Sequence, residues 1–492
     1  MLKMFLMRLR KRSRKLHKSG EISIYLSLVF MLMISLLLTV IEAARGTALQ
    51  VLYECSVESA LLSTFGEYNR ELLDKYDVFF IDLSYMSNSP DPKNLQIRLN
   101  EYFNDNFFPQ EDASLLFYSD FLDVTETNVS LTEYELATDN FGEPFVDQVV
   151  EYMSNLVGTD FVTEMENTMV VWDSYNLDTE TFDTIKDSAI SQVTYSEEDE
   201  WEQTVIKDGL LSLINENISI DNILPDSKVS HQTISETDTL LFRSKHKGNW
   251  SESTFDMNPI ENIYFNEYVL MKTGNYLEPR SDTYLKYETE YIIVGGPSDY
   301  QNARRYVEML LAARALENFI SLNLASDKVE EVRGVAEFIA PIIRLPEPVV
   351  TQIILVGWSL IEAVVDVKDL LKGEKVPLIK RSEEIKVSFG GIVESIGGAM
   401  ADSDSDSMPL DEDGIPDLSL GYNDYLRIFL YLVPSPVKTY RTMDIIELNL
   451  RNSGNGNDFF RFDSCADKVK AVFSIESGFD FRYTGEKKYS YF

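Results

Sequence analysis

Ile22-Ser-Ile-Tyr-Leu-Ser-Leu-Val-Phe-Met-Leu-Met-Ile-Ser-Leu-Leu-Leu-Thr-Val-Ile41 is a run of twenty residues without a charged side chain. At about 1.5 Å rise per residue, a helix of that length crosses the roughly 30 Å hydrocarbon core of a bilayer. Ser23, Ser27, Ser35 and Thr39 do not interrupt it, because a hydroxyl in a helix bonds back to a carbonyl one turn earlier. The residues before it contain Lys3, Arg8, Arg10, Lys11, Arg12, Arg14, Lys15 and Lys18 and no acid. Basic residues flanking a span stay in the cytoplasm, which predicts a cytoplasmic N-terminus and everything after Arg45 outside. The run exceeds the about 7–15 apolar residues of a removable signal peptide, so it reads as an uncleaved anchor. Glu42 and Arg45 follow at a spacing that lets them pair at the outer interface, within one helix or between neighbouring anchors.

The charge outward from this segment is one-sided. The chain has 492 residues with 44 Lys+Arg against 81 Asp+Glu, a formal net charge of −37. Residues 1–45 hold nine basic and two acidic residues, leaving a net of −44 on the remainder. Such a body is not a nucleic-acid binder working through a basic surface. A hydrophobic fraction of 44% excludes a fully disordered chain.

Periodicity predicts an α+β, mostly helical protein. A single N-terminal transmembrane helix continues into a stalk helix, followed by a two-lobed extracytoplasmic region. The expected divisions are 1–19 as a basic cytoplasmic tail, 20–45 as the transmembrane helix and 46–76 as a helical stalk. Residues 77–215 form a first lobe, 216–258 a polar linker and 259–492 a second lobe. Apolar positions from Leu49 through Tyr76 extend the helix to about Lys75, a stalk of roughly 45 Å beyond the membrane. Asp77–Leu83 reads as a short buried strand, and Leu95–Phe107 and Phe145–Leu156 as amphipathic helices. Gly295-Gly296-Pro297 reads as a turn after a strand, followed by a long helix from about Tyr300 to Leu322. Val349–Val365 is apolar but interrupted by Gln352 and Glu362, which favours a buried helix over a second span. Tyr425–Val433 and Met443–Leu450 look helical, and the alternation through Val472, Phe473, Ile475, Phe479, Phe481 and Tyr483 around Ser477-Gly478 marks a hairpin.

Motifs for chemistry are sparse, and no catalytic or cofactor-binding residue stands out. Asp402, Asp404, Asp406 and Asp413 occupy positions 1, 3, 5 and 12 of an EF-hand-like loop, the spacing for oxygen ligands to Ca²⁺. Ser407 replaces the turn glycine and Asp413 the bidentate glutamate, so a solvated acidic loop is the stronger reading. Gly357-Trp358-Ser359 lacks the second glycine of a nucleophile elbow. His231 and His246 lack a neighbouring ligand set. Cys55 and Cys465 both fall in the extracytoplasmic part, where a disulfide or two free thiols are open alternatives.

Gly20 followed by the apolar helix closing in Glu42-Ala-Ala-Arg45 resembles the N-terminal segment of TadE/TadG-type proteins of Tad (tight adherence) pilus assembly. Downstream stretches resemble an uncharacterised membrane-anchored family, a domain of unknown function, of Gram-positive bacteria associated with Tad-like secretion components. They are Tyr287–Ile293 with Asn302, Arg314 with Asn318, Gly357-Trp358 with Glu362, Leu371–Lys380, Tyr422–Arg427 and Arg441–Ile446. Prepilin-like segments carry Glu at the fifth position after the processing glycine; here that position is Tyr25, and Glu21 follows Gly20 directly. The resemblance implies a non-enzymatic structural or assembly component of a pilus or secretion system, partnered by the bilayer and by other envelope proteins. It supplies no catalytic residues. A membrane-anchored hydrolase and a Ca²⁺-dependent adhesin are the alternatives. The chain ends without a wall-sorting signal, which points away from covalent wall anchoring.

Overall fold

The structure is a computed structural model describing residues 2–85, 87–108, 121–175, 179–193, 200–215, 220–251, 255–397 and 418–491, with side chains from Ile22 onward except at 159, 179–180, 215, 228 and 394–397. The elements run α1 (Leu2–Phe65), α2 (Arg70–Tyr76), β1 (Ile81–Asp82), α3 (Pro92–Asp105), β2 (Val124–Leu136), α4 (Glu143–Leu156), α5 (Thr159–Ser174), α6 (Thr179–Val193), α7 (Trp201–Asn215) and α8 (Ile220–Ile223). They continue with α9 (Pro259–Lys272), α10 (Glu288–Val294), α11 (Asp299–Leu324), α12 (Ser326–Ile343), α13 (Glu347–Leu370), β3 (Val376–Pro377), α14 (Phe389–Gly397), β4 (Ser419–Leu420), α15 (Tyr422–Leu432), α16 (Ser435–Arg451), β5 (Cys465–Ser477) and β6 (Arg482–Ser490). The class is α+β and mostly helical, as the periodicity predicts.

Helix α1 is long and apolar enough to cross a membrane. Apart from the half-buried Val29, its large apolar side chains from Ile22 to Val40 are 44–70% exposed, so no other described part of the chain covers them. Cover begins abruptly at Gly46 and Leu49. Leu49, Tyr53, Val57, Ala60, Leu61 and Phe65 are buried against the sheet and α3, so residues 46–65 are a core helix and do not form the free stalk expected from their sequence. The expected continuation to Lys75 also fails. The chain turns at Gly66-Glu67, where the Gly66 N–H closes on the Leu62 carbonyl, and Asn69 caps a separate α2 by accepting from the Leu72 N–H. An Asn at that position satisfies a free helix-start donor, which favours a new helix over continuation.

The sheet that receives α1 is built from both ends of the chain. Strand β5 lies between β2 on one edge and β6 on the other, with β1 beside its first residues, all antiparallel. Val129 faces Phe473, and Ala471 faces Lys487 across the hairpin. Tyr483 donates to the Gly46 carbonyl at 2.9 Å, Tyr53 to the Phe473 carbonyl at 3.0 Å and Tyr491 to the Phe65 carbonyl at 2.9 Å. Three tyrosines thus tie α1 to the C-terminal hairpin along its covered length.

The remaining helices enclose the larger core. Helix α13 runs through it beside α11, α12 and α7, with Trp358 among the largest wholly buried side chains. Val349–Val365 is therefore an interior helix: two-thirds of its apolar window is buried (67%). Two sequence divisions are corrected. The chain does not fold as consecutive lobes, because β5 from the expected second lobe pairs with β1 and β2 from the first, and α4 packs on α9. Nor is 216–258 a linker: Ile220, Ile223, Val229, Leu240 and Met257 join the same core, and the Leu240 N–H is held by Asp444 at 2.9 Å. Glu288–Val294, read as a strand before a turn, is helix α10. Gly295 adopts φ 75° to cap its end, and the Arg441 guanidinium donates to the Ile292 and Ile293 carbonyls across the space a side chain would need. A left-handed glycine here ends the helix and admits the arginine.

Candidate functional site

The densest chemistry in the molecule is a buried ionic core where α11, α13, α15 and the segment after β3 meet. Arg314, Glu317 and Asn318 lie one turn apart on α11, which puts them on one face. Glu362 and Asp366 lie one turn apart on α13. Arg314 pairs with Glu317, and with Asp366 at 2.7 Å. Lys380 pairs with Glu362, and with Asp366 at 2.7 Å. Tyr425 donates to Glu317 at 2.7 Å, Asn318 to Asp366 at 2.9 Å, and Arg314 also reaches the Pro377 carbonyl at 3.0 Å. Glu362 accepts the Lys386 and Val387 N–H groups at 2.9 and 2.8 Å.

The electrostatics divide the acids. Burial works to raise the Asp366 carboxyl, but Arg314 and Lys380 beside it outweigh burial and hold it below the usual range. Glu317 has Arg314 as its cationic partner, and burial pushes it up to about 7. Its Oε1 is buried without a hydrogen-bond partner, the atom on which a proton would sit. Burial lowers Lys380 despite its two carboxylate partners.

Two further clusters of charged side chains lie in the same body. Glu288 accepts from the Gly274 N–H at 2.8 Å and Asn449 at 2.6 Å, and Glu290 from the Tyr276 N–H at 2.9 Å and Tyr422 at 2.5 Å. Neither has a paired cation in these bonds, and burial raises both to about 7. Arg243 grips Glu447 through two nitrogens at 2.5 and 2.7 Å and Asp463 at 2.6 Å, with Arg451 on Glu447 and His246 on Asp463. The side chains of Arg314, Glu317, Glu362, Asp366 and Lys380 have no solvent exposure, so these groups cannot meet a substrate without unfolding their surroundings. The arrangement can clamp helices together and hold a proton; it has no open face for turnover.

A family model described as a family of unknown function (DUF5702) matches residues 196–477. The chain belongs to that family. No curated protein and no solved structure matches it. The DUF5702 span contains every member of the three clusters and ends on the last residue of β5, while α1 and β2, which flank that strand, lie before it.

The structure places the other candidates as follows. Asp402, Asp404, Asp406 and Asp413 lie outside the described residues. Ser359 is wholly buried in α13 and donates to the Val356 carbonyl at 2.8 Å, so it is no nucleophile. Gly357 has a packing role: a Cβ there would meet Leu213 Cβ of α7 at 2.8 Å. Gly357→Val should therefore cost about 1–3 kcal/mol through overpacking, measured by urea unfolding. A change below about 0.5 kcal/mol would mean that α7 moves aside freely. Cys55 is exposed and Cys465 buried, both free thiols with no bond between them. His246 contacts Asp463 at 3.1 Å and His231 contacts Asp226 at 3.3 Å.

The ionic core is made of residues no catalytic pattern singles out. Its sequence signal is a charge on the core face of an apolar helix: Arg314 among Leu310, Leu311 and Leu316, and Glu362 with Asp366 inside Val349–Val367. A charge there must be paired or neutralised.

Proposed function

We propose that the chain is a non-enzymatic, membrane-anchored envelope protein that serves as a structural or assembly component of a Tad-like pilus or secretion system. The observation that carries this reading is helix α1, whose uncovered apolar stretch runs without a break into the core of the folded body. A body joined in this way has no flexible linker between it and the bilayer, which suits a part of an assembly and is of little use to a diffusing enzyme. The basic residues before Ile22 favour a cytoplasmic N-terminus and an exterior body. The pairing of the charged clusters with one another, deep in the interior, also favours a scaffold. Exterior charge of this density favours basic partners or bound cations over close self-packing. Glu42 and Arg45 sit 3.7 Å apart within one helix, and Arg45 is engaged by Phe479, so the pairing between neighbouring anchors raised from the sequence is set aside.

Cross-linking in native membranes followed by affinity capture of the full chain should recover membrane components of such an assembly. An added protease should digest a C-terminal tag and spare an N-terminal one. Capture without any envelope protein, together with turnover of a wall polymer or peptide by the purified chain, would replace this reading by the hydrolase.

A further inference from the structure

Four phenylalanines gather at the end of the body nearest the apolar stretch of α1. Arg45 lies with its guanidinium 3.9 Å from the Phe479 ring centre and 5.2 Å from that of Phe121. The Phe481 ring packs on Gly46 so closely that a Cβ there would meet it at 3.0 Å. Phe121 is 40% exposed. The fourth comes from α3, which runs back along α1: its Arg98 faces Glu67, whereas Phe103, further along, packs on Tyr53. Asn104 meets Thr127 near the start of β2, and Phe107 packs on Phe103. Phe108 therefore emerges at the same end, 47% exposed.

The depth of this end follows from the helix. Arg45 is four residues beyond Ile41, about 6 Å along the axis. The headgroup region adds about 5–7 Å to each side of the hydrocarbon core. The rings surrounding Arg45 and Gly46 thus fall within that layer, where phenylalanines on the apolar face of an interfacial segment insert.

We infer that this end of the body, formed by the β5–β6 turn with Phe479 and Phe481, by Phe121 and by Phe108 after α3, is a second membrane contact that rests in the headgroup–acyl boundary beside α1. The inference rests on α1 being a membrane anchor. Asp123 and Asp480 at the same turns outnumber Arg45, so the contact rests on the rings and not on attraction to anionic lipid. It fixes the tilt of the body, which a single helix leaves free to rotate about its own axis.

The test uses the full chain reconstituted in phosphatidylcholine vesicles whose acyl chains are brominated near the headgroup or near the terminal methyl. Phe479→Trp is compared with the parent protein and with Phe338→Trp, an exposed position on α12. Flotation with the vesicles reports the anchor independently of fluorescence. The expected result is flotation of all three proteins, with the added Phe479→Trp emission largely lost to the shallow quencher, less to the deep one, and the Phe338→Trp emission lost to neither. Flotation with equal emission from the two variants would overturn the membrane contact while leaving the anchor standing. Failure to float would overturn the anchor and the contact with it.

Discussion

Arg314→Met should destabilise the folded body by about 3–5 kcal/mol, the range for removing one partner of a buried ion pair. The arginine has no exposed surface, and it is held by Glu317, Asp366, Asn318, Tyr425 and the Pro377 carbonyl. Methionine fills a similar volume but leaves Asp366 with Lys380, the Asn318 amide and the more distant Lys386, and Glu317 with the Tyr425 hydroxyl. The loss is therefore the cost of stranded acceptors more than of the pair itself. Two comparisons separate these effects. Arg314→Met combined with Asp366→Leu and Lys380→Met replaces the charged centre by apolar groups and should be less destabilising than the sum of the single changes. Arg304→Ala, which breaks an exposed pair with Asp221 and Glu308, should change stability by about 0.2–1 kcal/mol. Urea unfolding of the detergent-solubilised chain measures all of these. A loss under about 1 kcal/mol for Arg314→Met would show that water reaches the site and that the core is not the clamp described.

Stability should fall as pH rises from about 5 to 7, a direction set by the buried acids. Burial raises Glu288, Glu290 and Glu317 from 4.5 to about 7 and Asp444 from 3.8 to about 8. In this window the unfolded chain has released these protons and the folded body retains them. The folded state then binds more protons, so raising pH favours unfolding, by up to about 1.4 kcal/mol per pH unit for each group. Groups acting in the opposite sense titrate elsewhere. Asp366 and Asp463 lie below 3.8 and matter only in acid, and Lys438, lowered by burial to about 7, matters only above neutrality. The melting temperature should therefore peak near pH 5 and decline toward 7. Glu290→Gln, which mimics the protonated acid and can still accept from Tyr422 and the Tyr276 N–H, should flatten part of that decline. A melting temperature that holds level or rises between pH 5 and 7 would show that these carboxyls are ionised in the folded body.

Both predictions concern residues whose importance was hidden in the sequence. Among 81 acids, nothing in the order of residues singles out Glu317. Arg314, Asn318, Glu362 and Lys380 fall in stretches that resemble a family, as Glu288 does, yet the meeting of the first four is invisible because Arg314 and Lys380 are 66 positions apart. The EF-hand-like spacing at Asp402–Asp413, easy to see, lies outside the described residues.

What the sequence by itself determined is local. The apolar run from Ile22 to Ile41 is legible because twenty uncharged residues have few alternatives to a helix in an apolar setting. The α4, α11 and α13 helices and the hairpin around Ser477-Gly478 follow from periods of 3.6 and 2 within a few turns of chain. Tertiary structure decided everything that depends on which surface meets which. Leu49 to Phe65 has the same apolar stripe whether it stands free or packs on a sheet, and only the arrival of β5 and β6, more than four hundred residues later, makes it a core helix. The interleaving of β1, β2 and β5, the closing of Arg314 and Lys380 around Asp366, and the placing of Phe121 and Phe479 against Arg45 are of the same kind. Periodicity states that a face must be covered, and the contacts that cover it are formed between residues whose separation along the chain carries no trace of their meeting.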